Sequence, residues 1–232
     1  MTEIVSFEQR GSVALVRLDD GKANAISMAL IEGLGAALDR ASADAKAIVL
    51  TGRPGRFSAG FDLRVMMSDP DAATALVMAG GELLLRLYGH PQPVVVACTG
   101  HAIAAGVLMV AAGDLRIGVT GDFKLGLNEV ANGMPVPILA HELARERLDP
   151  RALVESVLHA RLYDPEAAVK AGWLDRVVAP DALEASAMEA AETLSRLSQP
   201  AYGQTKRSLR HPMITNARAT MAQNLADLRA GA

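Results

Sequence analysis

Apolar residues along this chain switch repeatedly between two patterns. Short, almost wholly apolar runs, GSVALVRL at 11–18, AIVLTG at 47–52, VVVAC at 94–98 and DLRIGV at 114–119, predict strands. Between them apolar residues recur at helical spacing. Ile31, Leu34 and Leu38 form one such stripe behind Ser27, a predicted N-cap, and Leu76, Leu83, Leu84 and Leu87 form another. The second helix is sharply punctuated, with Asp69 before Pro70 at its start and Gly89, His90 and Pro91 at its end. DDGK at 19–22 reads as a turn, RPGRFSAG as a loop, and GHAIAAGVLMVAA as a turn and helix. Strand, glycine-rich loop, helix, repeated, predicts an α/β architecture whose loops at one end of the sheet carry the site. From Pro135 onward the pattern is mainly helical, with no further strong strand signal. We place a boundary between a core at 1–198 and a helical region at 199–232, which packs on the core or on another subunit.

The segment from Val94 to Gly113 is nearly uncharged and about as long as a membrane span. Its β-branched run, the Thr99-Gly100 break and the alanine-rich stretch predict a buried strand followed by a buried helix instead. A hydrophobic content of 50% over 232 residues supports one sizeable core. A net charge of −3 without a basic run argues against nucleic acid as a partner. Cys98, the single cysteine, excludes an internal disulfide and fits a reducing compartment. The opening MTEIVSFEQRG has no apolar region of a signal peptide, so the expected location is the cytoplasm.

Two small-residue segments carry the candidate chemistry, RFSAGFDL at 56–63 and GHAIAAG at 100–106, followed by one carboxylate in LNEVANGM. Glycine and alanine let a backbone N–H approach a ligand atom closely. Two such N–H groups converging on a carbonyl oxygen make an oxyanion hole, and a glutamate beside it can move a proton on the adjacent carbon. That combination suits enolate chemistry.

RFSAGFDL, TGHAIAAG with GDLRIG, LNEVANGM and AVKAGWLDRVV stand in the order and spacing of the enoyl-CoA hydratase/isomerase family, the crotonases, which the chain resembles from Ile4 to His211. The resemblance implies a spiral of ββα units, a C-terminal helical trimerisation region giving a homotrimer or a dimer of trimers, and acyl-CoA thioester substrates with no cofactor beyond their CoA. It makes the N–H groups of Phe61, after Ala59-Gly60, and of Ala105 the oxyanion donors. Many relatives carry a glycine triplet where this chain has Ala104-Ala105-Gly106. Hydratases of the family carry two glutamates; the first position is Leu108 here and the second is Glu129. One base suffices to shuttle a proton between C2 and C4, so the site resembles the Δ3,Δ2-enoyl-CoA isomerases. The alternatives are a hydratase, with Glu82 or Glu142 as second carboxylate, and a non-catalytic acyl-CoA-binding protein. For CoA, Lys22, Ala23 and Ala25 match the family's nucleotide loop, Arg64 a basic position near the phosphates, and Lys206 and Arg207 a contribution to a neighbouring subunit's CoA.

Plainer roles suit several other residues. Asp62 is expected to cap a helix, Asp114 to be structural, and Cys98 to behave as a small buried hydrophobe. The five histidines, His90, His101, His141, His159 and His211, lack paired spacing for a metal, and His101 is expected to pack or hydrogen-bond locally. Neither a GxSxG elbow nor a phosphate-binding glycine motif is present. Met66, Met67 and Met78 fit either an acyl pocket or core filling.

Overall fold

The computed structural model describes residues 3–230. Strands β1 (Val5–Arg10) and β2 (Val13–Leu18) form an antiparallel hairpin, and helix α1 (Met28–Asp44) starts at Ser27, whose hydroxyl accepts the Leu30 N–H. Then come β3 (Ala47–Thr51), β4 (Gly55–Ser58), α2 (Leu63–Ser68) and α3 (Pro70–Tyr88). Next are β5 (Val94–Cys98), β6 (Gly100–Ile103) and α4 (Ala105–Ala111), followed by β7 (Leu115–Val119), β8 (Leu125–Gly126) and α5 (Ile138–Arg147). The chain closes with α6 (Leu153–Val157), α7 (Pro165–Ala171), β9 (Arg176–Val178), α8 (Leu183–Ser195) and α9 (Gln199–Ala230).

The main sheet has the order β1-β2-β3-β5-β7-β9 and is parallel from β2 onward. Alternate residues of its central strands face different layers. Val49, Val95 and Ala97 pack under α8, whereas Ile48, Leu50 and Val96 face α1, α3 and α4. Burial on both faces is why these strands read as unbroken apolar runs. A second, small parallel sheet, β4-β6-β8, takes one strand from directly after each of β3, β5 and β7. Each unit is therefore a long strand, a short strand and a helix, the ββα repeat of the crotonase fold.

The loop expected at RFSAG and the turn expected at GHAI are in fact the strands β4 and β6. Gly55 and Gly100 pair at the start of this ladder, and a Cβ on Gly100 would lie 2.3 Å from the Gly55 carbonyl carbon. Such glycine-rich pairing has no side-chain alternation to announce it. A strand also appears in the part expected to be mainly helical, where β9 adds three residues to the edge of the sheet beside β7.

Helix α9 lies along α3 and α5. Its buried residues Lys206, Arg210, Met213, Ala217 and Met221 follow one stripe, and Asn224 Oδ1 accepts the Ile138 N–H that opens α5. Lys206 is a correction. Instead of reaching a neighbour's CoA it is 6% exposed, donates to the Gln92 carbonyl and pairs with Asp114 at 2.6 Å. Asp114 also pairs with Arg210 at 2.8 Å and accepts the Val94 N–H, the structural role expected of it. No helix among the described residues is long and apolar enough to cross a membrane.

Candidate active site

The three motifs meet because each lies just past the C-terminal end of a strand in the small sheet: Phe61 after β4, Ala105 after β6 and Glu129 after β8. The strands are parallel neighbours, so their exits lie side by side. A Cβ on Gly60 would come 3.0 Å from Ala104 Cβ, 3.1 Å from the Ile103 oxygen and 3.3 Å from the Ala105 nitrogen. Only glycine tolerates that approach together with a φ of +88°. Gly106 is equally constrained, since a Cβ there would lie 2.3 Å from the Ser58 carbonyl oxygen.

Both expected donor N–H groups face away from the local ladders. Phe61 bridges Ile26, but the bonds of that bridge run from Ile26 N–H to the Gly60 carbonyl and from Asp62 N–H to the Ile26 carbonyl. The Phe61 N–H is left on the opposite side, while its ring lies against Gly80 of α3. Ala105 opens α4, where the first N–H groups of a helix have no intrahelical acceptor.

Glu129 begins a short turn, and its carbonyl accepts the N–H groups of Asn132 and Met134. Its side chain is largely buried, with Oε2 shielded from solvent and without a hydrogen-bond partner among the described residues. Burial raises the carboxyl pKa above its ordinary value, against a smaller opposing effect of the Glu129 and Asn128 N–H groups. Leu108, on α4, is aliphatic and 5% exposed. The other two carboxylates considered are engaged elsewhere. Glu82 is half exposed and bound by Arg218 of α9, and Glu142 pairs with Arg145 and His141.

The Lys22–Ala25 loop is tied directly to the first small-residue segment. Ala59 N–H donates to the Ala23 carbonyl at 3.0 Å, and Ser58 Oγ donates to the Asn24 carbonyl at 2.7 Å. Asn24, not singled out in the sequence, is the fastening. It is fully buried at φ +50°, its Nδ2 faces the carbonyls of Leu18, Arg56 and Phe57, and its Oδ1 accepts the Asp20 N–H. Asparagine between two alanines after a turn was the available signal, since Asn tolerates left-handed backbone and bonds to nearby main chain.

Asp62 caps α2 by accepting the Arg64 N–H, and its carboxyl is held below the usual range by the Arg64 side chain. Arg64 itself is a surface residue in that ion pair, with its side chain 85% exposed. Met67 is also 85% exposed, whereas Met78 packs against the core. His101 Nδ1 accepts the Lys124 N–H, and its ring meets Phe123 edge-on. Cys98 is buried, with its thiol pushed up to about 12 by desolvation. Two open clefts, of about 410 and 680 Å³, lie beside Asp114 at the opposite end of β7, and no residue of the three motifs lines them.

The profile of the Enoyl-CoA hydratase/isomerase family matches residues 8–229. A structure of an enoyl-CoA hydratase/isomerase family protein from Pseudomonas syringae superposes with a TM-score of 0.95 at 40% identity, covering 98% of this chain and 99% of that one. An enoyl-CoA isomerase from Mycobacterium tuberculosis does so at 0.92 and 36% identity, with 98% and 99% covered. A Thermus thermophilus protein named putative enoyl-CoA hydratase is 30% identical over 87% of this chain and 81% of its own length. Fold, three converging motifs and these likenesses agree, and the chain is an enzyme that belongs to the enoyl-CoA hydratase/isomerase family.

Proposed function

We propose that this enzyme shifts the double bond of a 3-enoyl-CoA to the 2-enoyl position. The observation that carries the reading is Glu129 Oε2: a buried, unpartnered carboxylate oxygen on a strand exit adjacent to two outward-facing N–H groups, with a leucine at position 108. In the proposed reaction Glu129 removes a proton from C2, and the electron pair moves into the thioester carbonyl. The resulting oxyanion is held by the N–H groups of Phe61 and Ala105. Collapse of the dienolate returns the same proton to C4, restores the carbonyl and leaves the double bond between C2 and C3. One carboxylate serves both transfers, so no second acid and no bound water are required.

Lys22, Ala23 and Ala25 would hold the nucleotide end of CoA, and Arg64 would exchange its Asp62 pairing for a phosphate. Ala59, Gly60 and Gly106 keep the donors approachable. The reading includes a cytoplasmic homotrimer, or a dimer of trimers, that uses no cofactor besides the CoA of its substrate. Hydration of a 2-enoyl-CoA is the second reading, favoured by relatives named hydratases and weakened by the engagement of Glu82 and Glu142. Assay of a 3-enoyl-CoA and a 2-enoyl-CoA of equal chain length tests both. Conversion of the 3-enoyl thioester alone is expected, and rapid hydration of the 2-enoyl thioester would overturn the proposal.

A further inference from the structure

We propose that Ala104 is a positioning residue whose methyl group and strained backbone aim the Ala105 N–H and set its spacing from the Gly60-Phe61 segment. The inference rests on the oxyanion role proposed above for Ala105 and Phe61. Ala104 stands at φ +53° and ψ −129°, a conformation natural to glycine and unfavourable for a residue with a Cβ. Such backbone persists only where the surroundings over-determine it.

Here they do so on both sides. The Ala104 N–H donates to the Gly126 carbonyl at 3.0 Å, and the Ala104 carbonyl accepts the N–H groups of Val107 at 3.0 Å and Leu108 at 3.4 Å. That carbonyl shares a planar trans peptide with the Ala105 N–H, which must therefore point the opposite way, out of the start of α4. The dihedrals of Ala104 set the tilt of this peptide. The methyl adds a second constraint, because the place a Gly60 Cβ would occupy lies 3.0 Å from Ala104 Cβ. There is room for one methyl between the two segments, and the chain carries it at position 104.

Removing that methyl releases strain and the wedge together. Ala104→Gly should therefore make the protein more stable and the donor less well aimed, a separation that a purely structural role does not produce. The test measures thermal unfolding and steady-state isomerisation of a 3-enoyl-CoA for the wild type, Ala104→Gly and Ala104→Ser. For the glycine variant we expect a Tm raised by about 2–4 °C, a kcat lowered about tenfold, and a KM within twofold of wild type. Serine keeps the Cβ and should hold kcat near wild type without the gain in Tm. A glycine variant with undiminished kcat, or with a lowered Tm, would overturn the inference while leaving the isomerase reading intact. A wild-type enzyme that neither isomerises the thioester nor exchanges its C2 proton would remove the oxyanion reading and this inference with it.

Discussion

The Ala104 N–H bonds to the Gly126 carbonyl at 3.0 Å, extending the β6–β8 pairing so that the second small-residue segment is joined to the strand that leads to Glu129. Only Leu127 and Asn128 lie between Gly126 and Glu129, so the proposed base and the proposed Ala105 donor are linked through a short stretch of paired backbone. Side chains near the site can therefore be changed one at a time without dismantling its frame.

Glu129→Gln preserves shape and removes the proposed base. A general base contributes about 10²–10⁴ in rate, so turnover should fall by that order while a saturated acyl-CoA still binds. The pKa of Glu129 is raised in the folded state by burial. Between its ordinary value of 4.5 and that higher value the folded protein binds more protons than the unfolded one, and stability falls as pH rises. The glutamine variant should therefore melt above wild type at neutral pH and level with it below about pH 4. Thermal unfolding at both pH values checks the sign. Wild-type activity should rise with pH through the same window, as Glu129 deprotonates.

Asp114→Asn leaves Lys206 and Arg210 buried beside a neutral amide. Both cations are at least nine-tenths shielded, at 6% and 5% exposure, and both close on the same carboxylate. Loss of one partner from a buried ion pair destabilises by about 3–5 kcal/mol, so Tm should drop by roughly 10 °C. The strand exits lie at the other end of the sheet, and kcat at low temperature should change little. A Tm within 2 °C of wild type would mean that α9 is held by its apolar stripe and not by this cluster.

Much of this architecture was legible because its signals are local. Ser27 and the Asp69-Pro70 pair announce their helices within four residues, and Asp69 does accept the Ala72 N–H. The apolar strands β3, β5 and β7 declare themselves by burial on both faces. What was hidden depends on distant segments. The short strands β4, β6 and β8 are made by main-chain pairing between glycine-rich stretches, and β9 is three residues long. Lys206 beside Arg207 resembles an exposed basic pair, and only the packing of α9 reveals that the lysine turns inward to Asp114. At the site, the sequence offered candidate residues that the fold brings onto neighbouring strand exits, whereas the strain at Ala104 and the fastening by Asn24 exist only once the chain is folded.

Asn24→Ala tests that fastening. The substitution strips hydrogen-bond donors from buried carbonyls at the ends of β2 and β4 and leaves an alanine at φ +50°. Together these should destabilise by about 3 kcal/mol. Because the Lys22–Ala25 loop is tied to Ala59 through the same knot, KM for an acyl-CoA should rise more than kcat falls. Equal losses in both would indicate that the loop's order matters to the oxyanion segment and not to CoA.

Leu108→Glu asks whether position 108 separates the two reactions of the family. The side chain is 5% exposed, so a carboxylate there is desolvated and should lower Tm by several degrees. The family resemblance makes position 108 the counterpart of the first hydratase glutamate, with Glu129 as the second. Like charges in one site raise the pKa of one partner, leaving it protonated and able to donate. Hydration of a 2-enoyl-CoA should then appear above the wild-type level, while isomerisation of the 3-enoyl-CoA declines as Glu129 loses its apolar surroundings. A folded variant with unchanged isomerase activity and no hydration would show that Leu108 is not the residue that excludes water. The distinction would then have to lie in the loop after Glu129, where Val130 and Met134 are 42% and 41% exposed.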